Sequence, residues 1–261
     1  MDNLALVAPG WPQLLLFAGA GLVAGCIDAI AGGGGLISIP ALLVGGVPPD
    51  LVLGTNKLQA SFGSGLAAWR YGCHPGLLDR RLARTGACWT LAGALAGSLA
   101  VSRLSADLLA RLIPALLAAV ALYVLVSPRF HDADHAPRLP PPRAFALLGL
   151  GIGFYDGFFG PGTGSFWAVG LVSLAGFGLT RATGYTKVMN FASNLASLAI
   201  FLALGRVLFV PALAMATGQT AGAWLGSHLA LRNGARLIRP VLGTISLLVA
   251  AWFLWKLLYA R

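Results

Sequence analysis

Glutamate is absent from the sequence, lysine occurs only three times, and charged residues of every kind make up just 10% of the 261 positions. A soluble domain carries about 25% charged residues, so this scarcity excludes an ordinary soluble globular chain. Cysteine is equally sparse. Cys26, Cys73 and Cys88 are an odd set without paired or metal-like spacing, which excludes a disulfide framework or a zinc module and leaves them as small apolar filler. His74, His131, His135 and His228 are scattered, so no metal site is visible. No Walker sequence occurs, which excludes ATP as a direct energy source, and no cofactor is called for. Short segments of alternating polarity are missing too, which excludes a transmembrane barrel.

What fills the chain instead is apolar: 57% hydrophobic residues and a mean hydropathy of +0.81. Runs such as 14–31, 108–126 and 241–258 are each long enough to cross roughly 30 Å of hydrocarbon as a helix. The expected class is an all-α polytopic membrane protein, with the lipid bilayer as its surroundings. The formal net charge of +10 could suggest nucleic acid, but no soluble module exists to carry that role. The arginines cluster in short breaks between apolar runs, as with Arg80, Arg81 and Arg84, or Arg232, Arg236 and Arg239. That is the pattern of cytoplasmic loops, and a multi-pass bacterial inner-membrane location is expected. The start, Met1-Asp2-Asn3, lacks a basic n-region, so 14–31 is read as a span and not as a cleaved signal.

A polar, proline-rich stretch at 128–143 divides the chain almost in half and reads as a linker outside the bilayer. The flanking parts, 1–127 and 144–261, match one another in order. Gly21, Gly25, Asp28, Gly32 and Gly34 correspond to Gly149, Gly153, Asp156, Gly160 and Gly162. Gly54 and Lys57 correspond to Gly184 and Lys187, Gly93 and Gly97 to Gly222 and Gly226, and Pro114 to Pro240. Glycine matches alone would be weak in a chain with 35 glycines. The rare residues decide it: two of three lysines are partners, and so are the two aspartates in apolar surroundings.

Each half is expected to hold a glycine-broken transmembrane segment followed by three helices. These are 11–47 (broken at 32–35), 51–69, 82–101 and 108–126, then 144–178 (broken at 160–164), 183–204, 207–231 and 237–258. Small residues four apart, such as Gly21 and Gly25, let membrane helices approach closely. Equivalent loops differ in arginine content, as halves inverted in the membrane would.

Irregular backbone in hydrocarbon is tolerated only where it is packed in protein or lines a cavity, and two breaks at equivalent positions point to a transporter binding site. A helix beginning after a break directs free N–H groups and a positive dipole end at it, which suits an anion. A simple kink or close helix crossing is the plainer alternative. The expected substrate-binding set is Gly32, Gly33, Gly34, Gly35, Asn56, Lys57 and Gln59 in the first half. In the second it is Gly160, Gly162, Thr163, Gly164, Ser165, Thr186, Lys187 and Asn190. Ser61, Ser64, Ser193 and Asn194 are further polar neighbours of the lysines. Either lysine could instead snorkel to an interface. Asp28 and Asp156 could couple transport to a proton or cation, pair with the lysines, or cap backbone freed by the break.

At these residues the sequence resembles the TauE/SafE family, the sulfite and organosulfonate exporters of bacterial membranes. The resemblance rests on Ala31-Gly32-Gly33-Gly34-Gly35, on Leu53-Gly54-Thr55-Asn56-Lys57, and on the run from Gly157 to Ser165. It departs at Thr186, where the first half has Asn56. It implies export of small anions (sulfite, organosulfonates or related acids), and the expected function is a secondary transporter working by alternating access and driven by the proton-motive force. An anion channel and an intramembrane aspartyl enzyme using Asp28 and Asp156 are the alternatives.

Overall fold

The computed structural model describes residues 9–126, 133–234 and 236–238, and among them all regular structure is helical. The order is α1 (Trp11–Ala31), α2 (Gly35–Val44), α3 (Pro49–Gly72), α4 (Arg80–Val101), α5 (Ala106–Val126), α6 (Pro141–Phe158), α7 (Thr163–Ala175), α8 (Leu179–Ala203) and α9 (Phe209–Asn233). The expected segment 237–258 lies outside the described residues save for its first two, as does the linker's beginning.

Helix starts are set by proline. Pro49 and Pro141 occupy the first helical turn of α3 and α6, where the missing N–H is not needed and the fixed φ suits the helix. As a result α6 takes in Pro141, Pro142 and Arg143, which the sequence led us to place in the linker. The described part of the linker is docked. Backbone N–H groups of His135 and Leu139 donate to the carbonyls of Gly176 (2.8 Å) and Leu174 (3.0 Å). Asp134 accepts from the Gly178 N–H at 2.6 Å and pairs with Arg181 at 2.7 Å.

Both breaks are built around glycine, the first running from Gly32 to Gly34 and the second from Phe159 to Gly162. Gly32 closes α1 with φ 80° while its N–H donates to the Asp28 carbonyl at 2.9 Å, and Gly160 follows α6 with φ 101°. L-residues with a Cβ rarely adopt either conformation. The helices that follow are short: α2 has 10 residues and α7 has 13, about 15 and 20 Å at 1.5 Å per residue.

The most extensive helix pairings are crossed between the halves: α1 lies against α9, and α4 against α6. Sequence-equivalent helices thus exchange partners. Glycine makes both seams. A Cβ on Gly25 would fall 2.2 Å from the Gln219 carbonyl oxygen, and one on Gly222 would fall 2.0 Å from that of Leu22. One on Gly157 would lie 2.1 Å from the Ala94 oxygen, and one on Gly97 2.0 Å from that of Phe154. Lipid tails are as apolar as leucine, so close packing of this kind supplies the association that the hydrophobic effect supplies in water.

Polarity runs opposite to that of a soluble protein. Leu15, Leu147 and Val210 are well exposed, whereas Lys57, Lys187, Gln59 and Asp156 are all at most 4% exposed. An exterior of leucine and valine around an ionisable interior fits a lipid solvent. Helices α1 and α8 each combine the length and apolarity needed to cross a membrane. The buried polar residues gather on α3 and α8, which pack on each other.

Candidate functional site

The two glycine breaks meet. A Cβ on Gly32 would lie 2.5 Å from the Cα of Gly164, and one on Gly35 would lie 3.1 Å from the Cα of Pro161. Around this crossing lies a cavity of about 40 Å³, room for a few waters or the head group of a small acid. Its wall is built from both halves. The first gives Asp28, Gly33, Gly34, Gly35, Asn56, Lys57, Gln59 and Ala60. The second gives Asp156, Gly160, Gly162, Thr163, Gly164, Asn190, Asn194 and Gln219.

The breaks leave backbone donors there. The N–H groups of Gly33, Gly35, Gly160, Gly162 and Gly164 find no acceptor among the described residues, and all five residues line the cavity. Helix starts have such orphan donors by construction. Gly35 and Gly164 belong to the first turns of α2 and α7, so the positive ends of both helices are at the cavity.

The equivalent lysines are both buried but differently engaged. Lys57 donates to the Asp156 carboxylate at 2.6 Å and to the Asn194 amide oxygen at 3.2 Å. The second carboxylate oxygen of Asp156 accepts from the Ser193 hydroxyl. Lys187 instead donates to the backbone carbonyl of Asp28, in the last turn of α1, where a cation is favoured; the same carbonyl also accepts the Gly32 N–H. The Asp28 carboxylate accepts the Gly34 N–H at 3.2 Å. Pairing and capping therefore divide between the halves: Asp156 holds a lysine, and Asp28 caps the break.

Asn56 accepts from Ser38 (2.6 Å) and from the Gln59 amide (2.8 Å). With its oxygen committed, the end it can offer a ligand is its NH₂. Asn194 has both ends in use, its nitrogen donating to Ser64 at 3.1 Å. Neither lysine reaches the protein exterior, Lys57 being 2% and Lys187 0% exposed.

Of the residues expected at a binding site, Gly33, Gly34, Gly35, Asn56, Lys57, Gln59, Gly160, Gly162, Thr163, Gly164 and Asn190 line the cavity, together with Asp28 and Asp156. Gly32, Ser165, Thr186 and Lys187 are not part of its wall. Gly32 is pressed on Gly164, and the Thr186 hydroxyl is tied to the Ala182 carbonyl of its own helix at 2.8 Å. Gln219 is a wall residue that the sequence did not single out. Its signal was an amide side chain in the middle of the mostly apolar helix α9, and only the packing of α9 on α1 and α3 places it at the cavity.

A family profile described as "Sulfite exporter TauE/SafE" matches residues 17–253. A "Probable membrane transporter protein ORF9" from Sinorhizobium sp is 45% identical over 231 residues, 88% of each chain. A "Probable membrane transporter protein" from Haemophilus influenzae is 43% identical over 88% of this chain and 90% of its own. The "Probable membrane transporter protein YfcA" of Escherichia coli K12 is 39% identical over 99% of this chain and 93% of its own. No solved structure matches the chain.

Proposed function

From a chain that belongs to the sulfite exporter TauE/SafE family, we propose a secondary transporter that exports a small anion across the bacterial inner membrane by alternating access. Sulfite, organosulfonates and related acids are the substrate class. The observation that carries this reading is the crossing of the two breaks, where unpaired N–H groups from both halves and the Lys57 ammonium share one small cavity. Aligned N–H donors in a water-poor place bind an anion strongly. The set of two lysines and two aspartates adds no net charge, so the backbone dipoles carry much of that attraction. Modest affinity follows, as release on the far side requires.

The inside-negative membrane potential drives an anion outward by about 2.3 kcal/mol per charge per 100 mV. That is the electrical part of the proton-motive force. Asp156 is the candidate for coupling, because protonating it would free Lys57 for the substrate. A proton carried with a monoanion would make the step electroneutral and remove the electrical drive. The voltage dependence of flux therefore reports whether Asp156 titrates during the cycle. The halves are taken to sit inverted in the membrane, a reading supported by the unequal arginine content of equivalent loops; the exchanged partners of α1 and α6 fit a two-fold relation between the halves.

An aspartyl dyad requires two carboxyl groups sharing a proton, whereas Asp156 is engaged by Lys57 and Ser193, and Asp28 by Gly34. The small cavity suits a discrete binding site better than a continuous pore. The test is efflux of labelled sulfite from proteoliposomes under an imposed potential. Absence of saturable, protein-dependent efflux of sulfite and of simple sulfonates would remove the proposal. Saturation with counterflow supports a carrier over a channel.

A further inference from the structure

Three amide side chains on the cavity wall, Asn56 of α3, Asn190 of α8 and Gln219 of α9, end in NH₂ groups that donate to nothing among the described residues and are not sealed by packing. The residues are 6%, 7% and 3% exposed. What lies behind each amide sets its direction. The Asn56 oxygen is committed to Ser38 and Gln59 at 2.6 and 2.8 Å. The oxygens of Asn190 and Gln219 are sealed, and the reverse orientation would seal an NH₂ with two unpaired donors in place of one oxygen. Glycine makes room for Gln219: a Cβ on Gly63 of α3 would lie 2.5 Å from its Cγ and 2.7 Å from its Nε2. A buried donor without a partner is costly, and three from three helices around one small cavity ask for a common partner that accepts.

The repeat shows that these donors are not demanded by the fold. At the offsets that align Lys57 with Lys187 and Gly93 with Gly222, Asn56 corresponds to Thr186, Asn190 to Ala60, and Gln219 to Thr90. The hydroxyls of Thr186 and Thr90 donate to carbonyls of their own helices, those of Ala182 and Gly86, at 2.8 and 2.7 Å. Alanine has no polar end. Each matched position in the other half thus does without a free donor.

We propose that Gln219, Asn190 and Asn56 hold oxygens of the transported anion through their NH₂ groups, and that this donor set makes the site select a three-oxygen head over a two-oxygen head of equal charge. The reason is a count. Lys57 and the five free glycine N–H groups already stand on the wall. A head with two oxygens has about four lone-pair sites and leaves the amides unpaired. A third oxygen adds about two more sites, which the amides can fill. This rests on the anion-transport reading: the glycine N–H groups and Lys57 attract the charge, and the amides distinguish heads by their oxygens.

The probes are ethanesulfonate and ethanesulfinate, monoanions on the same carbon chain that differ by one oxygen on sulfur. Binding of each to the purified full chain in detergent is measured by calorimetric titration, with sulfite as a reference. The sulfonate should bind roughly 10- to 100-fold tighter, the range set by one buried donor left unpaired. Gln219→Met keeps length and removes the NH₂. It should weaken sulfonate binding about 10-fold and sulfinate binding by no more than about threefold. Asn190→Ala should act in the same direction, and the two substitutions together should bring the ratio to within about threefold. Gly63→Ala should also lower the ratio, by displacing the Gln219 NH₂ without changing its chemistry. A flexible side chain can yield there, so this variant and Asn190→Ala decide the matter if Gln219→Met does not fold. Equal wild-type affinity for sulfonate and sulfinate overturns the donor set and leaves the anion site standing. A ratio unchanged by these substitutions overturns the assignment to these residues. Failure of both probes and of sulfite to bind overturns the transport reading along with it.

Discussion

The Lys57–Asp156 pair offers the sharpest test, because its intact and broken forms differ by much more than its net worth. The two groups meet at 2.6 Å with side chains only 3% and 5% exposed. At an effective dielectric of about 20, two unit charges at that distance attract by about 6 kcal/mol. Desolvating each ion costs several kcal/mol, so the complete pair contributes close to nothing to stability. Removing one partner is another matter. Lys57→Met leaves a buried carboxylate with only Ser193 as donor, and Asp156→Leu leaves a buried ammonium with only Asn194 as acceptor. Each single variant should lose about 3–5 kcal/mol, unless the orphaned group gives up its charge. The double variant, apolar at both places, should recover most of that loss. Thermal unfolding of the four proteins in one detergent, followed by tryptophan fluorescence and size-exclusion, measures the cycle. Sulfite efflux from the same preparations measures function. The double variant should fold like the wild type and transport nothing, because the anion has lost the one lysine ammonium on the cavity wall among the described residues. Single variants as stable as the double would refute the pairing argument. Transport by the double variant would refute the role given to Lys57.

Four further perturbations address other parts of the structure. Gly164→Ala and Gly32→Ala each place a methyl group 2.5 Å from backbone of the opposite break and should abolish monodisperse expression. Gly151→Ala, with open space around its Cα in the exposed face of α6, should be neutral or stabilising by up to about 1 kcal/mol. Lys187→Met removes the buried donor to the Asp28 carbonyl and should cost about 1–3 kcal/mol, read as a fall in melting temperature; an unchanged value would contradict its place at the end of α1. Partial burial pushes the Asp134 carboxyl up, but the Gly178 N–H and Arg181 outweigh this and hold it below the ordinary carboxylate value. Its contribution is therefore present above the unfolded pKa of about 3.9 and disappears as pH falls through the lower folded value. With the side chain 50% exposed it amounts to less than about 1 kcal/mol, and Asp134→Asn should flatten that part of an acid-unfolding profile.

Rarity made much of this protein legible from its residues alone. A membrane solvent forces helices and leaves long apolar runs, so the class followed from composition. Lysine and intramembrane aspartate are expensive in lipid, so Lys57 with Lys187 and Asp28 with Asp156 stood out and exposed the repeat. The glycine breaks were visible for the same reason, since irregular backbone in hydrocarbon needs a use. Division of labour within each matched pair was not legible. One-dimensional equivalence predicts like roles, yet Lys57 binds a carboxylate and Lys187 a carbonyl, because the ends of α6 and α1 approach them differently. Gln219 joined the wall only because α9 is drawn onto α1 by Gly25 and Gly222, a contact between residues nearly 200 positions apart. Local chemistry fixes which groups are costly to bury. Only the crossing of helices from opposite halves decides which of those groups find each other and which are left for a ligand.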